Sequence, residues 1–296
     1  MDLILIADEP SRGVRHLADQ LRRHNFDAAL LLHPTPRLAL ACRLAGIPVR
    51  IGTGYRAYSL LFNRRVYQHR KNSDRHELDL NLQLAQAIGA QLQPVEFHLA
   101  VPEQAVQRVH ELLAELGVTA RQPYVVLHPG SGGSALDWPS QYFAKLAIQI
   151  KRQLKCAVIV TGSTEERALI DKIASNADHS IFRLDGRLNL KELAALLMRS
   201  RLTIANSTGP LHLAVAVGAP VIGIYCPIEA CSPTRWGPYG REESVIMPQV
   251  PRCERCANEG CRYLNCMEMV SVQQVFALAA KKLSPGPKTK KGNSVS

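Results

Sequence analysis

Long hydrophobic runs are absent from this 296-residue sequence. Its most apolar stretches, such as Ala28 to Leu32 and Val221 to Tyr225, are short and bounded by polar or turn-forming residues. A membrane-spanning helix needs roughly 20 apolar residues, so no span is expected. The opening residues, Met1 to Asp8, place an acid ahead of a brief apolar run and offer neither a basic leader nor a small-residue cleavage site, which points to a cytoplasmic protein. No aromatic-interleaved basic patch accompanies the positive charge, and this argues against nucleic acid as a partner. Gly130, Gly132 and Gly133 fall short of the Gly-x-Gly-x-x-Gly fingerprint, so a nicotinamide cofactor lacks support and no cofactor is expected.

What is present fits a soluble globular protein: 46% hydrophobic and 21% charged residues over a length that favours two domains. The net charge is +11, and Lys281, Lys282, Lys288, Lys290 and Lys291 contribute to it from the C-terminal end. The remaining excess suits phosphorylated substrates or an anionic membrane surface. Of the eight cysteines, half crowd into Cys253 to Cys266 and a chain of this size does not need staples, so reduced thiols or a metal site fit better than disulfides.

Short runs rich in Val, Ile and Leu alternate with segments of helical period, the pattern of strand-helix-strand units and a parallel sheet. In a first series, Leu3 to Ala7, Ala28 to Leu32 and Val49 to Ile51 read as strands, with helices near Gly13 to His24, Arg37 to Ala45 and Leu78 to Ile88. A second series has strands at Tyr124 to His128, Ala157 to Thr161, Leu202 to Ala205 and Val221 to Tyr225. Its helices fall near Gln141 to Gln153, Glu165 to Ser175, Leu190 to Met198 and Gly209 to Val217. Between the series, Pro102 to Gly117 is amphipathic, with Val106, Val109, Leu112, Leu113 and Leu116 on one face. The expected organisation is a first domain and linker helix over 1–119, a second domain over 120–285 and a polar, disordered basic tail over 286–296.

The strongest local signal is Asn206-Ser207-Thr208-Gly209-Pro210-Leu211-His212, which follows the strand ending at Ala205. A strand that opens through hydroxyl and amide residues into a helix with proline in its first turn builds an anion site. The free N–H groups and positive dipole end face the ligand, and Ser207 and Thr208 add hydroxyl donors. An isolated segment of this kind reads more readily as a capped buried helix with a structural histidine. A second strand opens into Pro129-Gly130-Ser131-Gly132-Gly133-Ser134, and two such loops at carboxyl ends of strands in one sheet point to a ligand in the crevice there.

Four motifs occur in order: His128-Pro129-Gly130-Ser131-Gly132 with Trp138-Pro139, then Thr161-Gly162-Ser163 with Glu166, then Asp185-Gly186-Arg187-Leu188, then Ser207 to Ala214. In this the sequence resembles glycosyltransferase family 9, the ADP-heptose:lipopolysaccharide heptosyltransferases, from its opening residues to about Lys282. The resemblance implies two Rossmann-like domains of the GT-B type, the first incomplete, and inverting sugar transfer from a nucleotide-sugar donor to a lipopolysaccharide-core or similar glycan acceptor. ADP-heptose is the implied donor and the cytoplasmic face of the inner membrane the implied place, with peripheral membrane contact. Ser131, Gly132, Thr208, Gly209 and the helix at Pro210 would hold the donor diphosphate, and Asn206, Ser207 and His212 belong to the same segment. Glu166 would bind the ribose hydroxyls and Leu188 would pack on the adenine.

This sequence departs from the family in three places. Ser207 stands where an aspartate is usual, and Leu136-Asp137 where many members carry a lysine before the tryptophan. The family's opening strand and its Gly-Asp loop, taken to supply the base, have no counterpart ahead of Met1. The catalytic base is therefore unassigned, and His33, Arg37, Asn63, Arg64 and Arg65 are acceptor-side candidates. A relative that binds nucleotide sugar without turnover is the alternative, and a sugar-nucleotide epimerase of similar architecture a third. Cys253-x2-Cys256-x4-Cys261-x4-Cys266 could hold a structural zinc through four thiolates, although the usual pattern separates two close pairs by a longer insert. No catalytic metal is expected.

Overall fold

A computed structural model describes residues 13–70, 74–119, 121–257 and 260–284. The expected strand Leu3 to Ala7 and the basic tail lie outside these residues. The chain divides into two compact units, 1–95 and 96–296.

In the N-terminal unit, helix α1 (Val14–Arg22) precedes β1 (Ala28–Leu30), α2 (Pro36–Leu44), β2 (Val49–Thr53), β3 (Arg64–Val66) and α3 (Glu77–Gln86). The strands form one parallel sheet in the order β1-β2-β3. Helix α2 starts at Thr35, whose hydroxyl accepts the Leu38 N–H at 3.2 Å, with Pro36 in the first turn. Leu17, Ala39, Ala41, Ile47 and Phe62 form the local core, and Phe62 packs against Gly52, where a Cβ would meet its ring at 2.4 Å.

The C-terminal unit holds α4 (Glu103–Glu115), β4 (Tyr124–His128), α5 (Ser140–Gln149), β5 (Ala157–Val160), α6 (Arg167–Asn176), β6 (Phe182–Arg183) and α7 (Leu190–Arg199). It continues with β7 (Leu202–Asn206), α8 (Gly209–Ala216), β8 (Val221–Ile224), the one-turn α9 (Pro233–Trp236), β9 (Val245–Ile246) and α10 (Val272–Leu283). Its strands make a six-stranded parallel sheet in the order β6-β5-β4-β7-β8-β9. Alternate residues of each strand face opposite sides. Val125, Leu127, Val158 and Ile204 pack with Phe143, Ile170 and Val275 of α5, α6 and α10, while Val126, Ile159 and Ala205 pack with Val109, Leu196 and Leu211 of α4, α7 and α8. Burial on both faces explains the near-continuous apolar strands.

Several expectations shift. The amphipathic segment is helical, but its buried face, Ala105, Val109, Leu112 and Leu113, belongs to the C-terminal core, so the compact units part at Val95 and not near residue 120. Strands β3, β6 and β9 escaped the sequence reading because they are two or three residues long and β3 and β6 are rich in arginine. The helix expected to run to Gln153 is regular only to Gln149, then widens over Ile150–Leu154 and stops at Lys155 with φ +55°. The closing helix α10 begins with a reciprocal cap between Ser271 and Gln274.

Candidate functional site

Strand order places the site. From β4 the sheet grows one way through β5 and β6 and the other way through β7, β8 and β9. The loops leaving β4 and β7 therefore diverge to opposite faces and open a crevice at the carboxyl edge, the position where parallel sheets bind ligands. His128 ends β4 and pairs in register with Ala205, next to Asn206 at the end of β7.

A recess of about 370 Å³ opens there. Its walls include His128, Ser131, Gly132, Thr161, Glu166, Leu188, Thr208 and Pro210, drawn from the loops after β4, β5, β6 and β7. Five of the expected donor residues, Ser131, Gly132, Glu166, Leu188 and Thr208, thus line one cavity. Gly209 sits between two lining residues and is exposed, and a Cβ built on it meets nothing within 4 Å. Thr208 is extended at the start of α8 and its hydroxyl makes no capping bond to the helix. No lysine or arginine stands among the described lining residues. A bound anion would be held here by the α8 dipole, N–H groups and hydroxyls.

Asn206 has a different place from the one expected. It is fully buried, and its side chain accepts the Trp138 N–H at 3.1 Å while donating to the Pro129 carbonyl at 2.5 Å and to Asp137 Oδ1 at 3.2 Å. These three bonds tie the β7 exit to both ends of the glycine loop. Ser207 is buried too, its N–H donating to the Ile224 carbonyl. His212 lies outside the recess, with its ring 6.4 Å from that of Trp236. None of these three is among the residues that line the recess.

The glycine loop is braced from within. Ser134 N–H donates to the Ser131 carbonyl at 3.1 Å across Gly132 and Gly133, both at positive φ (+59° and +79°), which a side chain would strain. Ser131 Oγ donates to the Ala135 carbonyl at 3.1 Å. Asp137, unassigned from the sequence, accepts hydrogen bonds from Ser131 and Asn206. Desolvation raises the pKa of its carboxyl, with those bonds pulling the other way.

Glu166 stands at the start of α6, and its Oε2 accepts the Ser163 N–H at 2.8 Å. Its other oxygen lies against Gly130, where a Cβ would come within 1.7 Å, so a side chain there would displace the carboxylate. His128, also missed as a site residue, is buried at the floor of the recess with Nδ1 2.9 Å from Thr161 Oγ1. Burial pushes its pKa down to about 4, although the Glu166 charge works in the opposite direction, and the ring is neutral near pH 7. The signal in the sequence was its position as the last strand residue before the glycine loop. Leu188 reaches the wall because Asp185, clamped by Arg183 at 2.9 and 3.0 Å, and Gly186 at φ +67° turn the chain there.

Among the acceptor-side candidates, Asn63 braces the sheet: it donates to the Pro48 carbonyl at 2.6 Å and accepts the Arg50 N–H at 2.8 Å. Arg64 donates to the Ala87 carbonyl and Arg65 to that of Phe62. His33 is exposed in the loop after β1, and Arg37 lies in the first turn of α2. Cys253, Cys256, Cys261 and Cys266 line a separate cavity of about 250 Å³. No three metal-ligating side chains converge among the described residues. No described helix is long and apolar enough to cross a membrane.

The sequence model of glycosyltransferase family 9 (heptosyltransferase) matches residues 14–267. The chain is 27% identical over 241 residues to the lipopolysaccharide core heptosyltransferase OpsX of Haemophilus influenzae, covering 79% of this chain and 66% of that protein. It is 26% identical over 240 residues to lipopolysaccharide heptosyltransferase 2 of Escherichia coli, covering 78% and 68%. It spans about two thirds of the length of these relatives. The crystal structure of a family 9 glycosyl transferase from Veillonella parvula superposes with a TM-score of 0.80 at 20% identity, covering 96% of this chain and 82% of that one. That of the E. coli ADP-heptose lipopolysaccharide heptosyltransferase II gives 0.71 at 21% identity, covering 91% and 80%. Two parallel sheets, a recess at the strand-order switch and a family match over most of the sequence agree: the chain belongs to glycosyltransferase family 9.

Proposed function

We propose that the recess binds the nucleoside diphosphate of a sugar donor, ADP-heptose, and that the protein transfers the sugar with inversion to a hydroxyl of a lipopolysaccharide-core glycan. The observation that carries this reading is the meeting of the glycine loop and the α8 N-terminus on one cavity at the switch point between β4 and β7. The names of the relatives, which include lipopolysaccharide core heptosyltransferase and ADP-heptose heptosyltransferase, support the donor and acceptor classes.

In this reading the diphosphate meets the Gly209 N–H, the Thr208 hydroxyl and the glycine loop, Glu166 takes the ribose hydroxyls, and Leu188 lies on the base. Charge accumulates on the diphosphate as the sugar leaves, so fixed N–H groups and a helix dipole stabilise the transition state more than the ground state. The neutral His128 adds no charge to be displaced. A membrane-anchored acceptor would bring the protein into peripheral contact with the cytoplasmic face of the inner membrane. The unassigned catalytic base leaves a second reading in which the donor is bound without turnover.

Calorimetric titration with ADP, UDP and GDP tests donor binding. ADP is expected to bind most tightly, and absence of affinity for all three would overturn the assignment. Transfer of labelled heptose to heptose-deficient lipopolysaccharide then separates the two readings.

A further inference from the structure

The carboxyl edge of the N-terminal sheet carries an aromatic cluster that the donor reading leaves unused. Strands β2 and β3 are parallel and end level, with Thr53 paired to Val66, so Gly54-Tyr55 and Tyr67-Gln68-His69 leave the same edge. The Gly54 N–H donates to the Val66 carbonyl at 2.9 Å and fixes the two exits together. Tyr55 and His69 are stacked, with ring centroids 3.7 Å apart and planes at 32°. Tyr67 stands edge-on to Tyr55 at 5.5 Å and 85°. A Cβ on Gly54 would fall 2.5 Å from the Tyr67 ring, so that ring lies directly over the backbone.

These rings are ordered against one another yet left in water: Tyr55 is 45% and Tyr67 64% exposed. They add little to the core, which Phe62 and Ile51 fill. A planar ring at the carboxyl edge of a parallel sheet suits a ligand with an apolar C–H face and a polar rim, and a sugar ring is such a ligand. A bare phosphate would be served by cations and N–H groups and would gain nothing from aromatic faces.

We propose that Tyr55, Tyr67 and His69 form a stacking platform for a sugar ring of the acceptor glycan. The assignment rests on the glycosyltransferase reading above, and it places saccharide recognition in rings and not in the arginines of β3. Tyr67, more exposed than Tyr55, offers the more open face. Tyr55 holds the imidazole of His69 in place.

The test is saturation-transfer NMR of the full chain with the soluble oligosaccharide released from heptose-deficient lipopolysaccharide, alongside ADP calorimetry on the same samples. Wild-type protein and Tyr67→Phe are expected to saturate the sugar C–H protons. Tyr67→Ala and Tyr55→Ala are expected to weaken oligosaccharide binding by about tenfold with ADP affinity unchanged. Should alanine perturb the sheet, Tyr67→Leu keeps apolar bulk without a planar face and is expected to lose binding in the same way. Undiminished saturation in the Tyr67→Leu and Tyr55→Ala variants would overturn the platform, as would a wild-type protein that binds ADP but leaves the sugar protons unsaturated. Saturation without ADP binding would support the platform and sink the donor assignment instead.

Discussion

Both units present the carboxyl edge of a parallel sheet, and they use it in opposite ways. In the C-terminal unit the edge is closed by buried cross-links: Asn206 joins two loops, Trp138 is pinned at both its nitrogens, and a neutral histidine sits under the recess. In the N-terminal unit the same edge presents a rim of exposed rings, with local bonds behind it: Thr35 caps α2, Tyr58 and Ser59 donate to the Pro34 and Thr53 carbonyls, and Gln68 donates to that of Leu80. A diphosphate site needs donors fixed before the ligand arrives, which only a satisfied, buried network supplies. The contrast says that substitutions behind the C-terminal edge should cost stability, while those on the N-terminal rim should cost little.

The largest effect is expected at Asn206. Asn206→Ala leaves the Pro129 carbonyl and the Trp138 N–H without a buried partner and Asp137 with Ser131 alone. Unsatisfied buried groups cost about 1–3 kcal/mol each, so a loss on the order of 3 kcal/mol is expected. Urea unfolding measures it, and ADP affinity should fall as well because the glycine loop is released. A loss under roughly 1 kcal/mol would mean the network is slack and the contrast between the edges false.

Acid should find the same network. His128 in the folded protein has its pKa pushed from 6.5 down to about 4 by burial. Below pH 6.5 the unfolded chain takes up a proton that the folded chain refuses, so stability falls as pH drops toward 4. The loss is expected to be on the order of 2 kcal/mol between pH 7 and 4.5. His128→Gln, which keeps a partner for Thr161, should flatten that part of the stability profile. An unchanged slope would place the titration elsewhere.

Ligand contact can be separated from fold at two glycines. The space beside Gly209 is open, so Gly209→Val should leave the melting temperature within a degree or two yet lower ADP affinity at least about tenfold by filling the approach to the α8 N-terminus. Gly130→Ala collides with the Glu166 carboxylate and should disturb both quantities. Normal ADP binding by the Gly209 variant would make that helix end structural only.

How much of this was legible in the sequence follows from the same contrast. Strands buried on both faces announce themselves as apolar runs, and β4 was bounded correctly to the residue. The loops that line the recess after β4 and β7 were legible because glycine, serine and threonine cluster at those strand ends. Asn206 was misplaced as a ligand because a polar residue beside a phosphate loop looks the same whether it faces the crevice or the core. Asp137 and His128 were missed as site residues because their roles depend on partners far along the chain, Asn206 and Thr161. The short strand β3 and the stacked rings after it carry no periodic signal at all. The boundary moved to Val95 because α4 packs where its apolar face fits, against Tyr124 and Val126, and sequence position alone cannot say which core that is.

The smallest effect sharpens the comparison from the other side. Thr35 caps α2 through one hydrogen bond, from the Leu38 N–H to its hydroxyl, at the rim of the N-terminal sheet. Thr35→Ala removes that acceptor and leaves an N–H that water can reach, so the cost is that of a lost cap, about 1 kcal/mol. Because α2 packs on α1 and on Phe62 within the N-terminal unit, the loss should stay there. Amide hydrogen exchange measured residue by residue is expected to quicken several-fold across α1 and α2 while the amides of β4 and β7 keep their rates. ADP affinity should not change. Quickened exchange in β4 would show that the two units unfold as one, and the separation drawn between their edges would then be one of chemistry alone and not of stability.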